Sequence, residues 1–185
     1  MATRSNISIR LRLEMIDKLY DNIHGQQVKI EGEYMTIYCH FNGYLSGVGE
    51  TLFNYYNSFE KAFMLILGGD ISSISETLGD CDYYASSEGW CKNVIPKFSN
   101  LPPRINEQYL YIFEDERWYV FTEDGEYYGP LGNYIEGNDE ERCDTTSLPK
   151  DFCQFLHGYL SGLSMTNRDK NLESIIKKLG DYLNV

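Results

Sequence analysis

Residues 36–73 read TIYCHFNGYLSGVGETLFNYYNSFEKAFMLILGGDISS, and they contain most of the signals from which the fold can be predicted. The alternation of residues over Tyr34–Phe41 predicts a strand. After a glycine-rich turn, Gly49–Tyr56 and Ser58–Leu67 are typical of helices, and the second begins with a good N-cap residue. Gly68-Gly69 predicts its end. A strand, a turn and two helices are therefore expected to follow one another here.

Further strands are predicted by alternation, or by aromatic runs between turn residues. They are Asn6–Leu13, Gln27–Glu31, Tyr109–Phe113, Arg117–Phe121, a short segment at Glu126–Tyr128 and one near Trp90–Val94. We expect Gln27–Glu31 to pair with Tyr34–Phe41 around Gly32, and the two aromatic runs to form a second hairpin. Apolar residues at helical spacing also predict a short helix over Glu14–Ile23.

Together these elements predict an α+β fold with an antiparallel sheet and with helices on one face. The strands of that sheet are the ones that contain Asn6, Tyr34, Tyr109 and Trp118. The helices within residues 49–67 should cover one face. We treat residues 1–148 as a single core domain, with an acidic segment at residues 105–147.

The C-terminal segment, residues 149–185, is predicted to be a helical hairpin. Pro149 is well suited to open a first helix that runs through Leu163. A second helix over Asn167–Leu183 has apolar residues at helical spacing. We expect this pair of helices either to pack beside the sheet or to mediate a homodimer.

The chain has 185 residues and a formal net charge of −12. Direct nucleic-acid binding relies on Lys and Arg side chains that neutralise phosphates, so an acidic chain is a poor candidate for it. An acidic protein suits a basic partner surface instead. The 16 tyrosines belong to a residue type that is enriched at protein interfaces, although tyrosine also fits half-buried strand positions.

The cysteines and the first residues indicate a reduced, cytosolic protein. There are five cysteines, an odd number, and the arginine-rich start of the chain lacks the apolar core of a secretory signal. No apolar run approaches the roughly 20 residues that span a membrane. No C-x-x-C pair is present, so we expect neither a disulfide nor a metal site. The one near-match to a phosphate-binding loop has Glu50 at the lysine position, so no cofactor is expected.

Three residues of the opening stretch could carry chemistry: Cys39, His40 and Asp70. A cysteine beside a histidine suggests a nucleophile with its base. However, adjacent side chains on a strand point to opposite faces, and cysteine is also a common buried residue. Asp70 would most simply cap the amides of Ser72 and Ser73. No residue is therefore assigned as catalytic.

The acidic segment holds most of the negative charge. Between Ile105 and Ser147 twelve acids face two arginines, so this window carries 2 − 12 = −10 of the chain's −12. Acids at hairpin turns and in a linker should be exposed, where they either promote solubility or form a surface that occupies a basic, nucleic-acid-binding groove. The acids that we assign to partner binding are Glu114, Asp115, Glu116, Glu123, Asp124, Glu136, Asp139, Glu140 and Glu141.

A set of short motifs is spread over the chain up to Val120. They are Ala2-Thr3-Arg4-Ser5, Ile37-Tyr38-Cys39-His40, Gly43-Tyr44, Ser46-Gly47-Val48-Gly49, Leu52, Tyr55-Tyr56, Leu67-Gly68-Gly69-Asp70, Ser72-Ser73, Glu88-Gly89-Trp90-Cys91, Tyr111-Ile112-Phe113 and Trp118-Tyr119-Val120. In these motifs the chain resembles a family of small proteins found widely in bacteriophages and prophages. The family-motif residues taken from the resemblance are Tyr38, Cys39, His40, Gly43, Tyr44, Gly47, Gly49 and Asp70. The resemblance implies a phage or prophage accessory protein, and it brings no catalytic residues with it.

Three classes of function follow from these observations. The leading hypothesis is a phage-encoded inhibitor of a host defence system, either a CRISPR effector or a restriction enzyme. Such an inhibitor would bind a nucleic-acid-binding nuclease or effector stoichiometrically, in the cytoplasm of the infected bacterium. The first alternative is a small enzyme that uses Cys39, His40 and Asp70, and the second is a structural protein of the virion or of host takeover.

Overall fold

The computed structural model describes residues 2–86, 95–123 and 128–135, together with residues 177, 180 and 181. The strand predicted near Trp90–Val94 lies outside the described residues. So do the later part of the acidic segment and nearly all of the predicted C-terminal helical hairpin.

Within these ranges the chain forms ten strands and three short α-helices. The strands are β1 (Ser5–Arg10), β2 (Leu19–Asp21), β3 (Gln27–Lys29), β4 (Tyr34–Cys39), β5 (Ile71–Ser73), β6 (Asp82–Tyr83), β7 (Lys97–Ser99), β8 (Tyr109–Glu114), β9 (Arg117–Thr122) and β10 (Tyr128–Pro130). The helices are α1 (Glu50–Tyr55), α2 (Phe59–Leu67) and α3 (Leu131–Ile135). A π-helical turn over Leu45–Gly49 leads into α1.

Eight of the strands form one mixed sheet in the order β10-β9-β8-β1-β4-β5-β6, and β7 pairs with β4 beside β5. Strand β1 runs antiparallel to β4 and parallel to β8. The predicted α+β fold with an antiparallel sheet is therefore wrong, because the described structure is mostly strand and its sheet is mixed. Alternation marks a residue as belonging to a strand, but it specifies neither the neighbour nor the direction of pairing.

The segment between β1 and β4 also differs from its prediction. Instead of a helix over Glu14–Ile23, a single 3-10 turn is followed by Asp17 at φ 63° and by the two-stranded sheet β2-β3. Leu19 is 60% exposed, so the apolar residues at helical spacing do not form one buried face. The predicted pairing of β3 with β4 is wrong as well, since β3 pairs with β2 and β4 pairs with β1.

The core lies between one face of the sheet and α2. The buried residues on that face of the two central strands are Ile7, Ile9, Met35, Ile37 and Cys39. Burying each large aliphatic side chain contributes about 1.5–3 kcal/mol to folding. As predicted, α2 begins after Ser58, whose hydroxyl accepts a hydrogen bond from the Lys61 amide.

The opposite face of β8 and β9 is buried too. Its residues Leu110, Ile112, Tyr119 and Phe121 are each at most 3% exposed. Strands buried on both faces contain near-continuous apolar runs, which explains why these two segments are so rich in aromatic and aliphatic residues. The hairpin predicted from them is confirmed.

The directions of the strands define two ends of the sheet. Cys39 and Tyr109 both pair with Ser5 at one end, which we call the motif end. The turn between β8 and β9 lies at the other, which we call the tip end. Six residues of strand separate the two ends by about 20 Å. No helix within the described ranges is long and apolar enough to cross a membrane.

Candidate functional site

The motif residues meet at the carboxyl end of β4. Tyr38 and His40 lie on one face of this strand and are both partly exposed, whereas Cys39 points into the core. The Tyr38 hydroxyl and His40 Nδ1 are 2.7 Å apart, so the two side chains share a hydrogen bond. His40 is therefore paired with Tyr38 and not with the cysteine beside it, as the alternation of side chains on a strand requires.

Cys39 is a residue of the hydrophobic core. Its side chain is 0% exposed, and its thiol donates to the Phe41 carbonyl at 3.4 Å. Burial raises the pKa of the Cys39 thiol to about 12. Because the thiolate is the nucleophilic form, this residue is unsuited to nucleophilic catalysis near neutral pH.

Asp70 has a structural partner on the neighbouring strand. Its carboxylate accepts a hydrogen bond from the Tyr38 amide at 2.8 Å. This amide lies between the residues of β4 that pair with β7 and the residue that pairs with β5. Burial raises the pKa of Asp70, although the Tyr38 amide and Lys97 act in the opposite direction. Asp70 thus completes the backbone hydrogen bonding of β4, and the expected capping of Ser72 and Ser73 is wrong.

The motif glycines allow the loop after β4 to approach the sheet closely. A Cβ atom on Gly43 would lie 2.7 Å from the backbone of Arg4, and one on Gly49 would lie 3.2 Å from the Tyr111 hydroxyl. A Cβ atom on Gly47 would overlap the carbonyl of Asn42. The Tyr111 hydroxyl also donates to the Gly43 carbonyl at 2.9 Å. These glycines therefore fix the position of the loop.

The same loop places two aromatic side chains in solvent. Phe41 is 45% exposed and Tyr44 is 40% exposed. The His40 and Phe41 rings meet edge to face, with centroids 4.4 Å apart. We call the patch formed by Tyr38, His40, Phe41 and Tyr44 the aromatic surface. Within it, mutual contacts hold Tyr38, His40 and Phe41 in place. Large, amphipathic side chains of this kind are suited to burial against another protein.

The acids assigned to partner binding do not form one surface in the described part of the chain. Glu114, Asp115 and Glu116 lie at the tip end, whereas Glu123 follows β9 at the motif end. The remaining members lie outside the described residues: Asp124, Glu136, Asp139, Glu140 and Glu141. The described acids are thus divided between two ends about 20 Å apart.

The expectation that Glu114 is exposed is wrong. Its side chain is only 3% exposed, and its carboxylate accepts a 2.5 Å hydrogen bond from the Arg10 guanidinium. This bond is the main reason why the pKa of Arg10 is raised. A buried carboxylate needs such a partner because desolvation of the charge is costly. Glu116 makes a looser pair with Arg12 at 3.7 Å.

The residues that meet at the tip end carry no sequence motif. Arg10 and Arg12 alternate with apolar residues on β1 and just beyond it, which predicted only that they face away from the core. The parallel pairing of β1 with β8 brings both arginines to the β8–β9 turn. The Arg12 guanidinium lies 4.2 Å from the centre of the Phe59 ring, a cation–π contact. The only sequence signal for these contacts is that Arg10 and Arg12 lie on one predicted strand and that Glu114 and Glu116 adjoin another, so their opposite charges could pair.

The described residues contain no cluster of three or more His, Cys, Asp or Glu side chains that could hold a metal ion. Cys81, the second described cysteine, is buried and surrounded by Ser75, Thr77 and Tyr56. When the chain was compared with known proteins, no family model, no curated protein and no solved structure matched it.

Proposed function

We propose that the chain is a phage- or prophage-encoded accessory protein that inhibits a host defence system by stoichiometric protein binding. The proposed partner is a nucleic-acid-binding nuclease or effector of a CRISPR or restriction system. Binding would take place in the cytoplasm of the infected bacterium. The phage origin rests on the resemblance of the motifs, whereas the mode of action is supported by the arrangement of the side chains.

One observation carries the proposal. Cys39, His40 and Asp70, the motif residues that could carry chemistry, each have a hydrogen-bond partner within the protein, and the loop after β4 exposes aromatic side chains. Cys39 is buried with a raised pKa, Asp70 accepts from the Tyr38 amide, and His40 is bonded to the Tyr38 hydroxyl. The aromatic side chains that the loop presents to solvent are Phe41 and Tyr44. This arrangement favours binding over the alternative of an enzyme that uses Cys39, His40 and Asp70.

The charges assist this binding in a different way from the one expected. Because Glu114 is buried and paired with Arg10, it adds no exposed charge to the surface. The exposed acids Asp115, Glu116 and Glu123 lie at separate ends of the sheet. We therefore assign affinity to the aromatic surface. The net charge of −12 guides the encounter with a basic partner, mainly through the association rate.

A plaque assay and a binding assay test the proposal together. The chain is expressed in bacteria that carry a CRISPR or restriction system directed against a phage. We expect phage growth to be restored, and the purified nuclease to coelute with the chain at a fixed stoichiometry. Restored growth without a complex would favour the enzyme, and capture of virion proteins alone would favour the structural alternative. Either result would refute the proposal.

A variant with changes at the aromatic surface locates the contact. Phe41→Ser combined with Tyr44→Ser removes two exposed rings, so binding should be lost while the unfolding midpoint changes little. Leu13→Ser is the matched control, because Leu13 is 72% exposed and follows β1 at the opposite end of the sheet. Equal binding by the double variant and by wild type would show that the aromatic surface is not the contact.

A further inference from the structure

A cavity of about 250 Å³ adjoins the turn between β8 and β9. The hairpin forms one side of it, and residues from α1, β10 and α3 contribute to the other. Sites for drug-sized molecules usually measure roughly 300–1,000 Å³, so this cavity is of a size that suits a ligand built on a single ring. It lies at the tip end of the sheet, away from the aromatic surface at the motif end.

Three aromatic rings lie in the described walls of this cavity, those of Phe53, Phe113 and Trp118. The rings of Phe113 and Trp118 meet edge to face, with centroids 5.2 Å apart. The Trp118 indole nitrogen already donates to the Tyr56 carbonyl at 2.8 Å, so this ring offers a ligand no free polar group. Aromatic rings attract a further ring in an offset or edge-to-face arrangement, beyond the effect of buried area. The walls therefore favour an aromatic ligand over a saturated one of the same size.

The charges that line the cavity favour neither a cation nor an anion. Glu116 and Arg117 are the charged residues among its described walls, and their charges cancel. Both are exposed, and Arg12, which does not line this cavity, already pairs with Glu116 at 3.7 Å. Exposed charges of this kind contribute little to an interaction, whereas a charge that a ligand brings into an aromatic cavity loses hydration. The ligand that fits is therefore uncharged.

Gly132 keeps one wall of the cavity open. A Cβ atom at this position would lie 3.2 Å from the Phe53 ring, which is tighter than an ordinary contact. The φ angle of Gly132 is not in the left-handed region, and alanine is a better helix former than glycine. The backbone of α3 therefore does not require a glycine here, but the space next to Phe53 does.

We propose that this cavity binds a small, uncharged molecule that contains a single aromatic ring, with the ring against Phe53, Phe113 and Trp118. Asn57 also lines the cavity, and its amide can donate to or accept from a hydroxyl or carbonyl group on the ligand. The site goes beyond the proposed function, because it needs no protein partner and shares no residue with the aromatic surface.

Phenol is the probe that tests the site, because it combines one aromatic ring with one uncharged polar group. We would titrate the protein with phenol and follow the Trp118 indole and the Gly132 amide by NMR. Cyclohexanol is the saturated analogue of similar size, and benzoate and benzylammonium carry the same ring with a negative or a positive charge. We expect phenol to shift both signals saturably and all three analogues to bind more weakly, cyclohexanol by about twofold to tenfold. Equal or tighter binding of any analogue, or no saturable shift at these two residues, would overturn the proposal.

Two alanine variants locate the bound ring. Gly132→Ala places a methyl group against Phe53 and should weaken phenol binding severalfold. Gly79→Ala is the matched control, because a Cβ atom there would meet nothing within 4 Å, and Gly79 precedes β6 at the other edge of the sheet. The midpoints of urea unfolding would show that both variants are folded. Wild-type affinity for phenol in Gly132→Ala, or an equal loss in Gly79→Ala, would show that phenol does not occupy the cavity.

A leucine variant separates the effect of the rings from that of the apolar volume. Phe53→Leu keeps an apolar side chain without the ring, so phenol binding should fall by about twofold to tenfold, and cyclohexanol binding should change much less. Because cyclohexanol reports on the same cavity, its retained binding shows that the variant is folded and that the cavity is open. Equal losses for the two ligands would mean that the rings do not select the ligand, and the proposal would then be wrong.

Discussion

The pair formed by Arg10 and Glu114 gives the sharpest test of the structure. Arg10→Met keeps most of the apolar stem but removes the cation that pairs at 2.5 Å with the Glu114 carboxylate, which is 3% exposed. Removing one partner of a buried ion pair costs about 3–5 kcal/mol. Glu114→Gln should cost less, about 1.5 kcal/mol or less, because Arg10 is 38% exposed and water can solvate it.

Urea unfolding followed by far-UV circular dichroism would measure both changes. The control is Glu116→Gln, because the pair of Glu116 with Arg12 is exposed on both sides and should contribute no more than about 1 kcal/mol. If Arg10→Met is no less stable than Glu116→Gln at pH 7, the assignment of Glu114 as a buried, paired carboxylate is wrong.

Four further outcomes, at three residues, follow from the structure. Asp70→Asn keeps an acceptor for the Tyr38 amide and removes a carboxylate whose pKa is raised by burial. A raised pKa in the folded state means that ionisation of Asp70 weakens the fold as the pH rises. The Asn variant should therefore match or exceed wild-type stability at pH 7 and lose that advantage at lower pH. Asp70→Ala leaves the amide without its acceptor and should cost about 1–3 kcal/mol, and urea titrations at pH 7 and pH 4 would check both variants. Cys39, with a pKa of about 12, should resist iodoacetamide at pH 7.5 in the native protein and react in urea, as mapped by peptide mass spectrometry; rapid native labelling would contradict its burial. Tyr111→Phe removes the 2.9 Å hydrogen bond to the Gly43 carbonyl and should lower the free energy of unfolding by about 1 kcal/mol, and an unchanged thermal midpoint would show that this bond does not hold the loop.

Sequence patterns predicted elements wherever neighbouring residues decide the outcome. The β8–β9 hairpin was predicted because two aromatic runs flank a short polar turn, and both halves of that signal are local. The start of α2 was predicted because Ser58 can satisfy the Lys61 amide through its own side chain. The helix predicted before β2 failed because apolar spacing alone does not show that a face is buried, and Leu19 is largely exposed.

Sequence patterns could not predict contacts between residues that are far apart along the chain. The placement of Tyr38 and His40 on one face follows from strand alternation. In contrast, the burial of Glu114 depends on Arg10, which is 104 residues away along the chain. The sequence places Glu114 in an acidic turn, where solvent exposure is the natural expectation. Only the parallel pairing of β1 with β8 turns this residue into an internal ion-pair partner.

The central position of β1 has a consequence for how the protein is made. This strand joins the two halves of the sheet, since β8 flanks one side and β4 the other. A ribosome adds about 5–20 residues per second, so β1 emerges roughly 5–20 s before β8, 104 residues later. During that interval β1 can pair with β4 alone, and its other edge is open to other chains. Yields of the protein should therefore depend on translation speed and on holding chaperones, and N-terminal fusions that shield β1 during synthesis should reduce aggregation.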